Sequence, residues 1–206
     1  MISVIIPNFN GLKILQSCFP TNYKILKQAN IKDIIVIDDA SNDESVKYLQ
    51  DNFPDITIIE NIKNLGFSKT CNKAAAQAKN EILFFLNNDM TIQNFDLKEI
   101  QNRFTQKDLF SLTPAIYRKK DQEQSTQNES ITTGYFQGGW FSSENIGLRD
   151  PHFSPHDGMP ILWGCGGASF FCADKFRKLN GFDEIFTPFY VEDLDLGYRA
   201  WKQNWK

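Results

Sequence analysis

The chain has 206 residues, 41% hydrophobic and 23% charged, which suffices for one domain with a full buried core. Lys and Arg number 22 against 25 Asp and Glu, and the net charge of -3 excludes a general positive field for nucleic acid. Any phosphate site must therefore be local.

Met1 to Ile6 runs directly into Pro7-Asn8-Phe9-Asn10, with no basic start or cleavage site, so the fold is expected to begin at once. Cys18, Cys71, Cys165 and Cys172 form no C-x-x-C pair, which predicts free thiols and a reducing, cytoplasmic setting. Residues 161–173 make the longest apolar-leaning stretch and are too short and Gly-rich to span a bilayer. Membrane contact is expected to be peripheral at most, at the inner face of the cell membrane.

Four apolar runs, residues 3–6, 34–37, 56–59 and 82–86, are unbroken rather than alternating, as strands covered on both faces are. Residues 12–29, 43–53 and 68–79 fit between them as crossover helices, the last carrying Ala74-Ala75-Ala76. This alternation predicts an α/β fold with a Rossmann-like, doubly wound, mostly parallel sheet flanked by helices. Beyond it, residues 94–105 read as a helix and 109–117 as a strand. Residues 118–133 are polar and aperiodic and read as an exposed loop or mobile hairpin, while 134–140 and 151–160, rich in Gly, Pro and aromatics, read as irregular. Helical character returns at 174–179 and 192–205.

Open parallel sheets bind ligands beyond the carboxyl ends of their strands, and here each such end is polar. The four strands run into Pro7-Asn8-Phe9-Asn10, Asp38-Asp39-Ala40-Ser41-Asn42-Asp43, Glu60-Asn61 and Asn87-Asn88-Asp89, predicting one polar rim. Ser41, Asn42 and Asp43 suit a turn and helix cap equally well, and Asn87-Asn88 suits a turn. Adjacent carboxylates at Asp38 and Asp39 are harder to explain by capping alone. In the second half, the small residues at 164–169 would let backbone approach a ligand, or simply turn tightly. Glu192, Asp193 and Asp195 precede Arg199 and Lys202 on one predicted helix, the charge order its dipole favours.

The succession Ser-Val-Ile-Ile-Pro-Asn-Phe-Asn, Ile-Val-Ile-Asp-Asp-Ala-Ser-Asn-Asp, Asn-Leu-Gly-Phe with Asn72, and Phe-Leu-Asn-Asn-Asp resembles family 2 glycosyltransferases of the GT-A fold. The resemblance is strongest to their rhamnosyltransferase-like branch. Gly164 to Ser169, Gly181-Phe182-Asp183-Glu184 and residues 189–200 are similar to the acceptor half of the same family. The resemblance implies one catalytic domain over 1–206, with a nucleotide-sugar-binding half at 1–117 and an acceptor-binding half at 118–206. Family members usually continue with a strand and a metal-site His, so truncation at the C-terminus is expected.

The implied donor-binding set is Pro7, Asn8, Asn10, Asp38, Asp39, Asn64, Gly66, Asn72, Asn87, Asn88, Gly166 and Gly167. Asp39 would contact the nucleobase. The family's Asp-x-Asp motif falls on Asn87-Asn88-Asp89, leaving Asp89 to hold a divalent cofactor, Mg²⁺ or Mn²⁺; one carboxylate can serve, because phosphates and waters complete the shell of a hard cation. Asp193 would be the catalytic base of an inverting transfer, with Glu192 second, and Asp195 supporting or structural. Expected partners are a UDP-, dTDP- or GDP-sugar donor and a glycan or lipid-linked oligosaccharide acceptor, with no nucleic acid.

Other motifs carry less. Pro151 and Pro155 break the helix that His152 and His156 would need as a zinc pair. No G-x-G-x-x-G, Walker loop or G-x-S-x-G elbow is present. Tyr135, Phe136, Trp140 and Trp163 fit either sugar stacking or packing. A nucleotidyltransferase and a non-catalytic nucleotide-sugar or glycan-binding module remain as alternatives, the latter favoured by Asn87 in place of a carboxylate.

Overall fold

The computed structural model describes residues 1–120, 123–146 and 158–206; His152 and His156 lie outside them. In chain order, β1 (Ile2–Asn8), α1 (Leu12–Gln28), β2 (Asp33–Asp38), α2 (Ser45–Asn52), β3 (Thr57–Glu60), α3 (Phe67–Gln77) and β4 (Ile82–Leu86) alternate as the hydrophobic runs require. α4 (Leu97–Arg103), β5 (Ser111–Leu112), two hairpins, β10 (Ala168–Cys172), α5 (Ala173–Lys178) and α6 (Glu192–Trp201) follow. The sheet order is β3-β2-β1-β4-β10-β5. β1 to β4 are parallel, and β10 runs antiparallel to both β4 and β5. β10 thus joins the sheet from the chain's second half, between two strands of the first.

The unbroken apolar runs are explained by two cores, one on each sheet face. Val4, Ile6, Ile34, Val36, Phe84 and Phe170 pack with Leu15 and Phe19 of α1 and Leu49 of α2. Their neighbours Ile5, Ile35, Ile37, Phe85 and Phe171 pack on the opposite face with Cys71 and Ala74 of α3 and Leu196 of α6. Phe84 stacks on Phe170 with ring centres 4.0 Å apart, so the antiparallel strand is held by side chains as well as by its ladder. All four cysteines are free.

Two expectations change after β4, and of the two readings of residues 118–133 the hairpin is the one found. The predicted strand at 109–117 shrinks to the two residues of β5, because Pro114 has no N–H to continue a ladder. The polar stretch after it forms a hairpin of β6 (Tyr117–Lys120) and β7 (Glu123–Asn128). Residues 134–140, expected to be irregular, belong to a second hairpin, β8 (Thr132–Gln137) with β9 (Trp140–Asn145). Its two-residue turn is Gly138-Gly139, both at positive φ (57° and 84°), as a turn matched to strand twist demands.

Candidate active site

Because β1 to β4 are parallel, their polar C-terminal residues meet along one edge, and β10 enters the sheet at that edge with Ala168 opposite Leu86. Asn8 and Asp38 are register partners there. Asn8 donates from Nδ2 to Asp38 Oδ1 at 2.8 Å and accepts at Oδ1 from Asn88 Nδ2 at 2.8 Å. Asp38 also accepts from the Ser41 amide at 2.8 Å and its hydroxyl at 2.6 Å. Asn8, Asp38 and Asn88 therefore pin the ends of β1, β2 and β4 together, and these hydrogen bonds occupy the Asn8 amide and the Asp38 carboxylate. All three belong to the expected donor set. Gly11, absent from that set, is fixed by the same network: a Cβ there would sit 2.2 Å from Asn8 Oδ1 and 2.5 Å from Asn88 Nδ2.

Asp39 is the centre of a second network. It is buried, and it accepts from Asn61 Nδ2 and the Leu65 amide at Oδ1, both at 2.8 Å, and from the Gly66 amide at Oδ2 at 2.9 Å. Asn64 Oδ1 also accepts from the Gly66 amide at 3.1 Å. Gly66 adopts φ 80° and ψ 170°, a region open essentially to glycine alone, and this turn brings its N–H to the carboxylate. Oδ2 accepts from one N–H where Oδ1 accepts from two. Asn61, whose Oδ1 accepts from Lys73 Nζ at 2.6 Å, is named in sequence only as part of the polar rim and lies outside the expected donor set.

Ser41 and Asp43 follow the local reading. Asp43 accepts from the Leu12 amide opening α1 and from the Ser45 amide opening α2, both at 3.0 Å. Burial pushes its carboxyl up, but the Ser45 hydroxyl and these amides outweigh that and hold it below its ordinary value. Asn10 is exposed and accepts from the Asn42 amide at 2.7 Å; Pro7 is half-buried in β1. Asn72 has a distant backbone partner. Its amide brackets the backbone of Phe182, with Nδ2 to the carbonyl at 2.8 Å and Oδ1 to the N–H at 2.9 Å, so it fastens α3 to the segment before α6.

The turn after β4 supplies Asn87, Asn88 and Asp89. The Asn87 amide donates to Gly167 O at 2.7 Å, and Asn87 Oδ1 is buried without a hydrogen-bond partner. Asp89 is exposed. Behind it, buried Asn22 of α1 donates to Met90 O at 2.7 Å and accepts from the Ile92 amide at 2.8 Å. An Asn in the apolar series Leu15, Phe19, Asn22, Leu26 was the sequence signal for this anchor. No group of three or more His, Cys, Asp or Glu side chains among the described residues could hold a metal ion by itself. What the turn presents is one free carboxylate and one unpartnered amide oxygen. That suits a hard cation whose shell is completed by phosphate and water.

Asp193 lies in the first turn of α6. Its Oδ2 accepts from the Gly166 amide at 3.2 Å and its Oδ1 from the Leu194 amide at 2.8 Å. Burial raises its pKa, and those two amides only partly offset the shift. Glu192 is 6% exposed, and its Oε2 has no partner. Burial raises its pKa too, its own backbone amide lowers it, and the neighbouring Asp193 adds to the rise. Asp195 is salt-bridged to Arg199 at 2.7 Å, and Arg199 also reaches Leu179 O and Gly181 O, so this pair braces the helix. Tyr135 and Trp140 are exposed.

The Glu192 shift carries a stability consequence with a definite sign. Folding raises the pKa, so the folded state retains a proton that the unfolded chain would release; the stabilisation is complete below the unfolded value and is lost as pH rises through the folded one. Glu192→Gln should thus melt at a higher temperature than the wild type at pH 7. The gap should close below about pH 4, where a free glutamate is protonated. Equal melting temperatures at pH 7 would contradict the assignment.

The family model described as "Glycosyl transferase family 2" matches residues 3–167, from the second residue of β1 through β9. The chain belongs to glycosyl transferase family 2. The fold is that of GT-A glycosyltransferases. A mannosyltransferase from Pyrobaculum calidifontis, solved with GDP-Man and Mn²⁺, superposes with a TM-score of 0.69 at 15% identity, over 100% of this chain and 53% of that one. GalNAc-T7, solved with UDP, GalNAc and Mn²⁺, gives 0.72 at 15% identity, over 98% and 40%. S. aureus TarS 1-349 gives 0.67 at 18% identity, over 97% and 54%. The chain thus spans about half the length of the mannosyltransferase and TarS chains. No curated protein sequence matches it. No helix among the described residues of this family member is long and apolar enough to cross a membrane.

Proposed function

We propose that the chain is the catalytic part of an inverting glycosyltransferase that moves a sugar from a nucleoside-diphosphate sugar to an acceptor hydroxyl in glycan or polysaccharide synthesis. The observation that carries this reading is the placing of Asp193. The carboxylate is desolvated and aimed by the Gly166 amide, and Gly166 leads into the same sheet edge where Asp39 anchors the loop at Leu65 and Gly66. Asp39 would accept an N–H from the nucleobase. Gly167, half-buried beside Asn87, would let its backbone approach a sugar, while buried Gly166 holds Asp193 through its amide. Asp193 would take the acceptor proton while the hydroxyl oxygen attacks the anomeric carbon from the side opposite the diphosphate. The bond to the acceptor then forms as the bond to the diphosphate breaks, giving inversion.

Asp89, with the unpartnered Oδ1 of Asn87 nearby in the turn, would hold Mg²⁺ or Mn²⁺. Such a cation, when bound, neutralises charge on the leaving diphosphate. The neighbours were solved with GDP-Man, UDP and UDP-GlcNAc, which supports a UDP-, dTDP- or GDP-sugar donor here. The acceptor would be a glycan or lipid-linked oligosaccharide, reached from the cytoplasm at the inner membrane face.

A thermal-shift screen of UDP, dTDP and GDP tests the donor site. At about a hundredfold excess over Kd the matching nucleotide should raise the melting temperature on the order of 5–10 °C with Mg²⁺ or Mn²⁺, and less with chelator. Asp89→Ala should abolish the metal-dependent part. Equal shifts with metal and with chelator would remove the metal from the site. Nucleotide binding with no sugar transfer to any acceptor would favour the non-catalytic reading.

A further inference from the structure

Residues 179–191 connect α5 to α6 and hold the feature that the reading above does not use. After the single 3-10 turn Glu184–Phe186, the chain exposes Phe189 (57%) and Tyr190 (76%), with ring centres 4.8 Å apart. Val191 follows at φ 82°, a left-handed conformation rarely adopted by a β-branched residue, and Glu192 and Asp193 come next. An exposed aromatic pair in a slack loop would fold back onto apolar surface. Here the backbone is held on both sides.

Before the pair, the Phe67 amide donates to Pro188 O at 3.1 Å, and Thr187 Oγ1 donates to Glu184 O at 2.7 Å. Thr187 and Pro188 also lie so close to Gly66 that a Cβ there would fall 2.9 Å from Thr187 Cγ2 and 3.1 Å from Pro188 Cα. After the pair, the Asp195 amide donates to Val191 O at 3.0 Å, opening α6. The rings therefore sit on a strap fixed at one end to the loop that Asp39 anchors, and at the other to the helix that carries Asp193.

Charge narrows what can lie on them. Residues 181–195 contain five carboxylates and no Lys or Arg. Lys69 reaches Glu184 at 4.0 Å and Arg199 pairs with Asp195, while no Lys or Arg among the described residues pairs with Asp183, Glu192 or Asp193. Such a segment repels phosphate and carboxylate, so it suits neither the donor's diphosphate nor an anionic lipid surface. The electron-rich faces of the two rings attract the weakly positive C–H face of a pyranose.

We propose that Phe189 and Tyr190 form the acceptor platform, and that it selects an uncharged pyranose over a uronate or phosphorylated sugar. This rests on the glycosyltransferase reading and names the acceptor class for it. The platform is three and four residues from Asp193 in sequence, and a backbone held at both ends lowers the ordering cost of binding a sugar.

The test uses saturation-transfer NMR on the chain with Mg²⁺ and the nucleotide selected by the thermal screen. The probes are methyl glucoside, galactoside, mannoside, rhamnoside and N-acetylglucosaminide, against methyl glucuronide and galacturonide. At least one neutral glycoside should bind, with the matching uronate weaker by about tenfold or more. Phe189→Ala and Tyr190→Ala should each weaken the neutral glycoside several-fold, up to about tenfold, the range of one aromatic-face contact. Nucleotide affinity by calorimetry should stay unchanged in both. Phe189→Leu, which keeps apolar bulk but loses the ring face, should resemble Phe189→Ala.

Glycoside binding that ignores all three substitutions, equal binding of uronates, or no binding by any glycoside would overturn the proposal. So would a wild-type preference for phosphatidylserine-containing over pure phosphatidylcholine vesicles that Tyr190→Ala removes. If no nucleotide binds either, the glycosyltransferase reading fails; if nucleotide binds normally while the glycoside results fail, only the platform is lost.

Discussion

Replacing Asp193 by Asn should lower sugar transfer by about 10²-fold or more, the usual scale for losing a positioned base, while donor affinity barely changes. Asn keeps the side-chain shape and can still accept from one of the two amides that hold the carboxylate, from Gly166 and Leu194, but it cannot take a proton. The pH profile separates this from a structural effect. Transfer by the wild type needs Asp193 ionised, so its rate should fall as pH drops through the pKa of that group. Burial sets this fall above the ordinary aspartate value of 3.8. The residual activity of Asp193→Asn should lack that acid limb. Near-normal transfer by the variant would exclude Asp193 as base, and a parallel collapse of donor binding would make it a binding residue. If only Glu192→Gln stops turnover, the base lies one residue earlier.

Asp39→Ala should damage two properties at once. Removing the carboxylate leaves the Leu65 and Gly66 amides and the Asn61 side chain without their acceptor. Hydrogen bonds to a charged group contribute about 1.5–3 kcal/mol each, and buried groups left unpaired cost a similar amount, so a stability loss of at least about 3 kcal/mol is expected. Nucleoside affinity should fall by about tenfold or more even without phosphates, because one charge-assisted contact goes and the loop around it loosens. Urea denaturation and nucleoside calorimetry measure the two effects. An unchanged unfolding midpoint would show that the loop does not depend on Asp39. Unchanged nucleoside binding in a destabilised variant would leave Asp39 as scaffold alone.

The alternation of strands and helices was legible because hydrophobic burial is periodic, and the two sheet faces account for every unbroken run from β1 to β4. The polar rim was legible for the same reason, since parallel strands must end on one edge. Which rim residue does what was much less so. Asn8, Asp38 and Asn88 look as ligand-ready in sequence as Asp39 does, and only the hydrogen-bond partners show that they satisfy one another. The structural duty of Asn72 is illegible in sequence because its partner, the Phe182 backbone, is 110 residues away, beyond any local pattern. The β8–β9 hairpin was passed over although Gly138-Gly139 is a strong turn signal, because aromatics and glycines together suggested irregular chain. Asp195 behaved as its position before Arg199 implied, i,i+4 pairing being a short-range rule that sequence does carry.

The saturation of the rim has a consequence for how nucleotide preference can change. Asn8, Asp38 and Asp39 hold strand ends or a loop in place, so exchanging them to suit another base would first cost the fold. The nearby positions Asn10, Asn42, Ile62 and Lys63 are exposed, and all but Asn10 lie outside the predicted donor set. Variation between related enzymes should concentrate there, around an inner ring that stays constant. A library aimed at new donors has its tolerant sites in those three loops, where many substitutions leave the protein folded and only the ligand registers the change.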